Sequence, residues 1–108
     1  MNSDNTITLV SMALDAALMR QTAIASNIAH ANIKNHQTLR VDFEKQLTDS
    51  FIDTKDIKPT FQLDDTPSSI DEQMALSVKN AMQYRALIKG LNHKLAIMKL
   101  AVEGNNAS

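Results

Sequence analysis

The sequence has no cysteine and no tryptophan, and only two glycines and two prolines among 108 residues. Without cysteine there is no disulfide staple, no thiolate metal site and no thiol nucleophile, and the absence fits a reducing or an oxidising compartment equally. Two glycines, at positions 90 and 104, cannot build a phosphate-cradling loop. Three phenylalanines and one tyrosine complete a composition that argues against an all-β domain and against a disordered chain. No run of about 18 apolar residues is present, so no transmembrane segment is expected. The first residues carry no basic stretch, no continuous apolar core and no A-x-A site, so no Sec signal peptide is expected.

Catalytic groups do not assemble either. His30 and His36 lie across an expected helix end and His93 on an outward face, with no metal-ligand spacing among them. The acidic pairs Asp64-Asp65 and Asp71-Glu72 are sequence neighbours, which do not converge on one substrate. We therefore expect no enzyme activity, no metal and no cofactor.

Net charge is −1, but it is unevenly placed. From Gln73 to Val102 there are five cations (Lys79, Arg85, Lys89, Lys94, Lys99) and no acid, whereas Val41 to Glu72 holds nine acids against Lys45, Lys55 and Lys58. Solvated flanks and complementarity to helix dipoles account for this pattern. The cations are spread around a helix without interleaved aromatics, so no nucleic-acid partner is expected.

What the sequence does contain is helix. Alanine, leucine, lysine and glutamine, all good helix formers, dominate both ends. At alternating spacings of three and four, the C-terminal segment reads Met74, Ser77, Ala81, Tyr84, Ile88, Leu91, Leu95, Met98, Val102. Only Ser77 is polar, so this is the seam of a helix meeting another helix. Ser69 and Glu72 form a capping box at its start, and Gly104 is expected to end it in the left-handed conformation, giving a helix over 70–103. The N-terminal segment repeats the pattern with Ile7, Val10, Leu14, Ala17, Gln21, Ile24, Ile28 and Ala31, Gln21 being the polar exception, and predicts a helix over 5–32. The two should pair side by side within one domain of residues 1–108. Leu9, Met12, Met19, Leu76, Met82, Leu87 and Leu100 lie off the seam and leave a second apolar surface on each helix. Two helices cannot bury both surfaces against one another, which marks a protein that packs into an assembly. The six methionines, adaptable to unlike neighbours, fit ordinary core filling as well as assembly.

Between the helices, residues 33–69 read as a turn and an irregular acidic segment. Asn32 and Asn35 accept a positive φ at a helix stop. Leu39, Val41 and Phe43 alternate as in a strand, while Phe43 and Leu47 have helical spacing. Thr48 to Ser69 is polar, contains both prolines, and is expected to be a mobile connection. Gly90, within the long helix, is either an open position or the place where another helix crosses closely.

The run Arg20-Gln21-Thr22-Ala23-Ile24-Ala25-Ser26-Asn27-Ile28-Ala29-His30-Ala31-Asn32 resembles the N-terminal signature of the flagellar basal-body rod protein family, usually written RQ-x-x-IA-x-NIANA-[ND]-TPGY. Asp42-Phe43 matches a D-F pair typical of the proximal, FlgB-type members. Met74-Ala75, Asn80 with Tyr84, Leu91 with Lys94, and Ala101-Val102 match the family's C-terminal pattern. The likeness covers about two thirds of the chain. It departs at His30, which replaces the second Asn of NIAN, and at Ile33-Lys34-Asn35-His36, which replaces TPGY; Asn35 can still adopt a glycine conformation and His36 is a planar substitute for tyrosine.

This resemblance implies an all-α subunit with two long terminal helices paired as an antiparallel-like coiled coil around an irregular, partly mobile middle. It implies export through the flagellar type III apparatus without cleavage, and polymerisation in the periplasm into the rod that supports motility. The implied partners are other copies of the chain, other rod proteins, the MS-ring adaptor and export-gate proteins. The implied assembly residues are Ile24, Asn27, Ile28, Asn80, Tyr84, Ile88, Leu91 and Leu95, with Asn32, Asn35 and His36 at the motif turn. The amides of Asn27 and Asn80 would tie the seam to the turn backbone or to a neighbouring subunit. The competing expectation is a helical adaptor or chaperone-like binding module of a secretion system; export from the cytoplasm separates the two.

Overall fold

A computed structural model describes residues 3–44, 46 and 57–107. Helix α1 spans Ser3–Ala29, strand β1 Thr38–Asp42, strand β2 Thr60–Asp64 and helix α2 Ile70–Ala107. The fold is broadly all-α, two long helices joined by a middle that carries a small sheet. With 27 and 38 residues, α1 and α2 are about 40 and 57 Å long.

Helix α1 ends three residues earlier than its apolar pattern predicts. Beyond Ala29 the amides of Ala31, Ile33 and His36 each donate to the carbonyl three residues back, giving tight turns. Asn35 takes the left-handed conformation at φ 63°, the conformation that asparagine tolerates where no glycine is present. Asn32 does not adopt it. Helix α2 starts where expected: the Glu72 amide donates to Ser69 Oγ at 3.1 Å. Only half of the capping box forms, because the Glu72 carboxylate accepts from the Ser68 hydroxyl instead. The expected stop at Gly104 is overturned, since no glycine has positive φ and the helix runs on to Ala107. Lys99 and Glu103, one turn apart, pair at 3.9 Å across that end.

The middle is more ordered than its composition predicts. β1 and β2 pair antiparallel, with Leu39 opposite Leu63 and Val41 opposite Phe61. The strand alternation of Leu39, Val41 and Phe43 therefore prevails, and within the segment expected to be irregular residues 60–64 form a strand. Of that segment, residues 48–56 lie outside the described residues, as does Leu47. Val41, Phe43 and Ile57 are buried with Ala16 of α1, and Met12, Ala13 and Met19 pack around them. This cluster lies between α1 and the sheet, while Ala17 and Ile24, also buried, lie on the α1 face towards α2. β2 reaches past the helix, so Phe61 and Leu63 stay exposed while Gln62 and Asp64 are half-buried.

The two helices do pair antiparallel, as Asn27 with Gln73, Gln21 with Ser77 and Ala17 with Asn80 show. The α2 seam follows its predicted line through the middle and departs from it at both ends. The inward residues are Gln73, Ser77, Asn80, Ala81, Tyr84, Leu87, Ile88, Leu91, Lys94 and Met98, six of them predicted, whereas the predicted Met74, Leu95 and Val102 are exposed. The departure at the start follows from chemistry: the Gln73 and Asn80 amides find hydrogen-bond partners on α1 and draw their side of the helix inward. Extents of 67 × 29 × 14 Å describe a slab in which α1 is the middle layer, flanked by α2 and the sheet. The radius of gyration, 17.7 Å, exceeds the ~13 Å of a compact chain this long.

By length and composition alone, Asn5–Ala29 is apolar enough to cross a membrane, although it contains no unbroken apolar run of that length. Alanines and scattered aliphatics carry that apolarity, interrupted by Asp15, Arg20 and Gln21.

A methyl group added at Gly90 meets nothing within 4 Å, so the position is open within the subunit. It borders a groove of about 500 Å³ lined by Val10, Ala13, Phe43, Leu87 and Leu91. Gly90→Ala should therefore stabilise the isolated chain by about 1 kcal/mol, raising Tm by about 4 °C or more. A fall in Tm on thermal unfolding would contradict an open position.

Candidate functional site

The feature on which the terminal helices converge is a polar seam built in two clusters. Ala17, Gln21, Ile24 and Asn27 recur on one face of α1 at helical spacing. In the first cluster, Asn80 Nδ2 donates to the Ala17 carbonyl at 2.7 Å and to Gln21 Oε1 at 3.0 Å. Arg20 Nη1 donates to Asn80 Oδ1 at 3.2 Å, while Nη2 pairs with the Glu44 carboxylate at 2.8 Å. Gln21 Nε2 donates to Ser77 Oγ at 2.6 Å. The polar interruption in one apolar pattern thus meets the polar interruption in the other.

The second cluster closes the turn end of the slab. Asn27 Oδ1 accepts from the Leu39 amide at 2.7 Å, and Asn27 Nδ2 donates to the Leu39 carbonyl at 2.9 Å. A side-chain amide here takes the place of a strand neighbour, because these Leu39 groups point away from β2. Asn27 Nδ2 also donates to Gln73 Oε1 at 3.1 Å, and Gln73 Nε2 donates to Ser68 Oγ at 2.9 Å. Helix α1, strand β1 and the start of α2 therefore meet on one buried asparagine.

The motif-turn residues form a neighbouring feature. The rings of His30 and His36 stack with centroids 4.5 Å apart and planes 19° from parallel. His30 Nδ1 lies 2.8 Å from the Ser26 carbonyl, so that nitrogen carries the proton and donates. Asn32, Asn35 and His36 are all exposed. A cleft of about 850 Å³ opens beside the stack, lined by His30, Ile33, His36, Leu63, Asp65 and Pro67. Gln37 donates to Asp65 across its wall. The Thr66 amide donates to Asp64 Oδ1 at 2.9 Å and, helped by the Thr66 hydroxyl and Arg40, holds the Asp64 carboxyl below the usual range against a small opposing effect of desolvation.

Of the predicted assembly residues, Asn27, Asn80 and Ile24 are buried, and Ile28, Tyr84, Ile88 and Leu91 are half-buried along the pairing. Leu95 is a correction: it lies outside the seam, 45% exposed. Asn27 and Asn80 do not touch one another; each anchors its own cluster. Sequence reasoning missed Arg20, Gln73 and Ser68 as their partners. The signal available was the pair of exceptions, Gln21 and Ser77, which only antiparallel pairing makes into a contact. Asp42 Oδ1 is buried without a hydrogen-bond partner among the described residues. No group of three or more His, Asp or Glu side chains that could hold a metal occurs among the described residues.

Large apolar side chains lie uncovered on both flanks of this seam. Met74, Val78 and Met82 form a stripe at four-residue spacing on the outer side of α2, Met82 being 64% exposed. Leu95, Ile97, Leu100 and Val102 are exposed near its end, Leu100 at 67%. Among the described residues of α2, Gln73 and Asn80 are buried, while Tyr84, Leu87, Ile88, Leu91 and Met98 are half-buried.

Asn27→Ala removes a donor and an acceptor that satisfy the Leu39 backbone, leaving buried groups unpaired at roughly 1–3 kcal/mol each. Urea unfolding should show a loss of about 2 kcal/mol or more, while a loss under about 0.5 kcal/mol would mean that the turn end does not depend on this amide.

No protein-family model matches this sequence, and no curated protein matches it.

Proposed function

We propose that the chain is a structural subunit of the bacterial flagellar basal-body rod, of the proximal type, polymerised through its terminal helices after export from the cytoplasm. One observation carries this reading most strongly: α2 spans 38 residues, and among its described residues the apolar side chains are half-buried at most. Ordering backbone costs about 1–2 kcal/mol per residue. A long helix held by two amide clusters and half-buried side chains recovers only part of that within the subunit. Covering Met74, Val78, Met82, Leu95, Ile97 and Leu100 against neighbouring helices would recover it on assembly. The resemblance of residues 20–32 and 74–102 to rod-protein motifs supplies the identity of the assembly.

On this reading the seam residues Asn27 and Asn80 set the register of the helix pair, a role for which buried amides are suited because misaligned pairing leaves them unsatisfied. The neighbours would be other copies of the chain, other rod proteins, the MS-ring adaptor and the export gate. No catalytic step is involved.

Purified hook–basal bodies, analysed by mass spectrometry beside a cytoplasmic control, test the proposal. The chain should co-purify at a few copies per basal body, and its deletion should abolish filaments. Retention in the cytoplasm, with basal bodies complete without it, would contradict the rod reading.

A further inference from the structure

The sheet, α1 and α2 stand side by side, so the slab is one element deep and has two broad faces of 67 by 29 Å. Stable domains bury their apolar residues between at least two layers. A second layer for this chain has to come from outside it.

The two faces differ in what they offer. One carries the groove beside Gly90, and the cations Lys79 and Lys94 lie on the same side of α2 at helical spacing from that glycine. The acid bordering this groove is Glu44, which Arg20 already holds, so the face presents a second copy with no complementary charge. The opposite face carries a groove of about 270 Å³ between the helices, walled by Leu18, Ala81, Tyr84 and Arg85. Leu18 is 54% exposed there, and Asp15, also exposed, stands one turn before it. The polar side chains nearest this groove are satisfied within the subunit: Gln21 and Ser77 are bonded to each other, and Thr22 to the Leu18 carbonyl. Neither Asp15 nor Arg85 has an ion-pair partner among the described residues.

The register of the helix pair places these two charges. The contacts Ala17–Asn80, Gln21–Ser77 and Asn27–Gln73 put residue i of α1 level with about 98 − i of α2. Arg85 is therefore level with Ala13, about 3 Å along the axis from Asp15 and within an arginine's reach. Leu18 is level with Asn80 and Ala81. The residues of α2 past Leu95 overhang the start of α1 and lie outside this zone.

We infer that two copies pair through this face about a two-fold axis parallel to the helices, with α2 of each copy lying over α1 of the other. Rotation about that axis keeps every residue at its own level. It brings Arg85 of one copy over the partner's Asp15, twice, and seats each Leu18 over the partner's Ala81, whose methyl group leaves room for it. An axis perpendicular to the helices would instead lay α2 on α2. That helix has five cations and no acid from Gln73 to Val102, so like charges would meet. The covered face is roughly 40 Å of α1 by about 20 Å for two helices, about 800 Å² per copy, the area of a stable interface. Such a pair is closed. It leaves the outer side of α2, with Val78 and Met82, to other neighbours, and it stands beside the rod-subunit reading without resting on it.

Sedimentation velocity of the full chain, with circular dichroism as a check on helix content, tests the pairing. Wild type should pass from monomer to dimer as concentration rises and stop there. Leu18→Asp should weaken pairing at least tenfold. Asp15→Arg and Arg85→Asp should each weaken it about threefold or more, since like charges then meet at both contacts. The double variant, D15R with R85D, should regain wild-type pairing, and so should an equimolar mixture of the two single variants. Each of these places opposite charges at both contacts. A wild-type chain that stays monomeric at every concentration would overturn the inference, as would a series extending past dimer. A double variant no stronger than the single ones would show that these charges do not meet, and would overturn it too. All three residues are exposed, so the helices should persist; if Leu18→Asp loses helix, the charge exchange decides alone. Either result leaves the basal-body experiment independent.

Discussion

Two adjacent alanines determine how this molecule is arranged. Ala16 faces the sheet, where it lies in the core with Val41, Phe43 and Ile57, and Ala17 faces α2, where its carbonyl receives the Asn80 amide. Neighbours on a helix point about 100° apart, and a methyl group on each lets both flanking layers approach. Helix α1 consequently serves as a shared middle layer. Everything else follows from that position: the sheet takes one side, α2 the other, and the broad faces of the slab are left open. A larger residue at either alanine would separate one layer from the helix that unites them.

The same arrangement divides the forces between layers. The buried apolar cluster joins α1 to the sheet, whereas α1 and α2 meet through two amide clusters with Ala17 and Ile24 buried and Tyr84, Ile88 and Leu91 half-buried beside them. An amide bond gains only about 1 kcal/mol net, but leaving a buried amide unpaired costs more. Amides are thus poor at adding stability and good at choosing one register over another. A helix attached this way is specified in position and only lightly held. That combination suits a subunit whose helices reach their final environment among neighbours.

Much of this was legible in the residues. The helical spacing of Ile7 to Ala31 and of Met74 to Val102 located both helices, and Ser69 with Glu72 located the start of α2. Their lengths indicated pairing. The inward side of α2 was legible at Ser77, Ala81, Tyr84, Ile88, Leu91 and Met98 but not at its start, because apolar periodicity assumes that apolar residues go in; here Gln73 and Asn80 go in, and Met74 stays out. The sheet was only half visible. Leu39, Val41 and Phe43 alternate clearly, but their partner strand is Thr60 to Asp64, whose exposed Phe61 and Leu63 sit in a polar, proline-containing stretch. Pairing across 18 or more residues is a tertiary event that local composition does not encode. Gly104 misled for a simpler reason: glycine permits the left-handed conformation without requiring it, and Lys99 with Glu103 favour continuation.

The central claim is that the largest buried cluster lies between α1 and the sheet and that α2, held by amides and half-buried side chains, waits on neighbours for the rest of its apolar cover. Hydrogen exchange on the isolated chain tests it most directly. Amides of α1 over residues 16–28 and of β1 should be the slowest to exchange, and protection along α2 should fall away from Tyr84 towards the overhang. Uniformly high protection along the whole of α2, matching that of α1, would contradict the account.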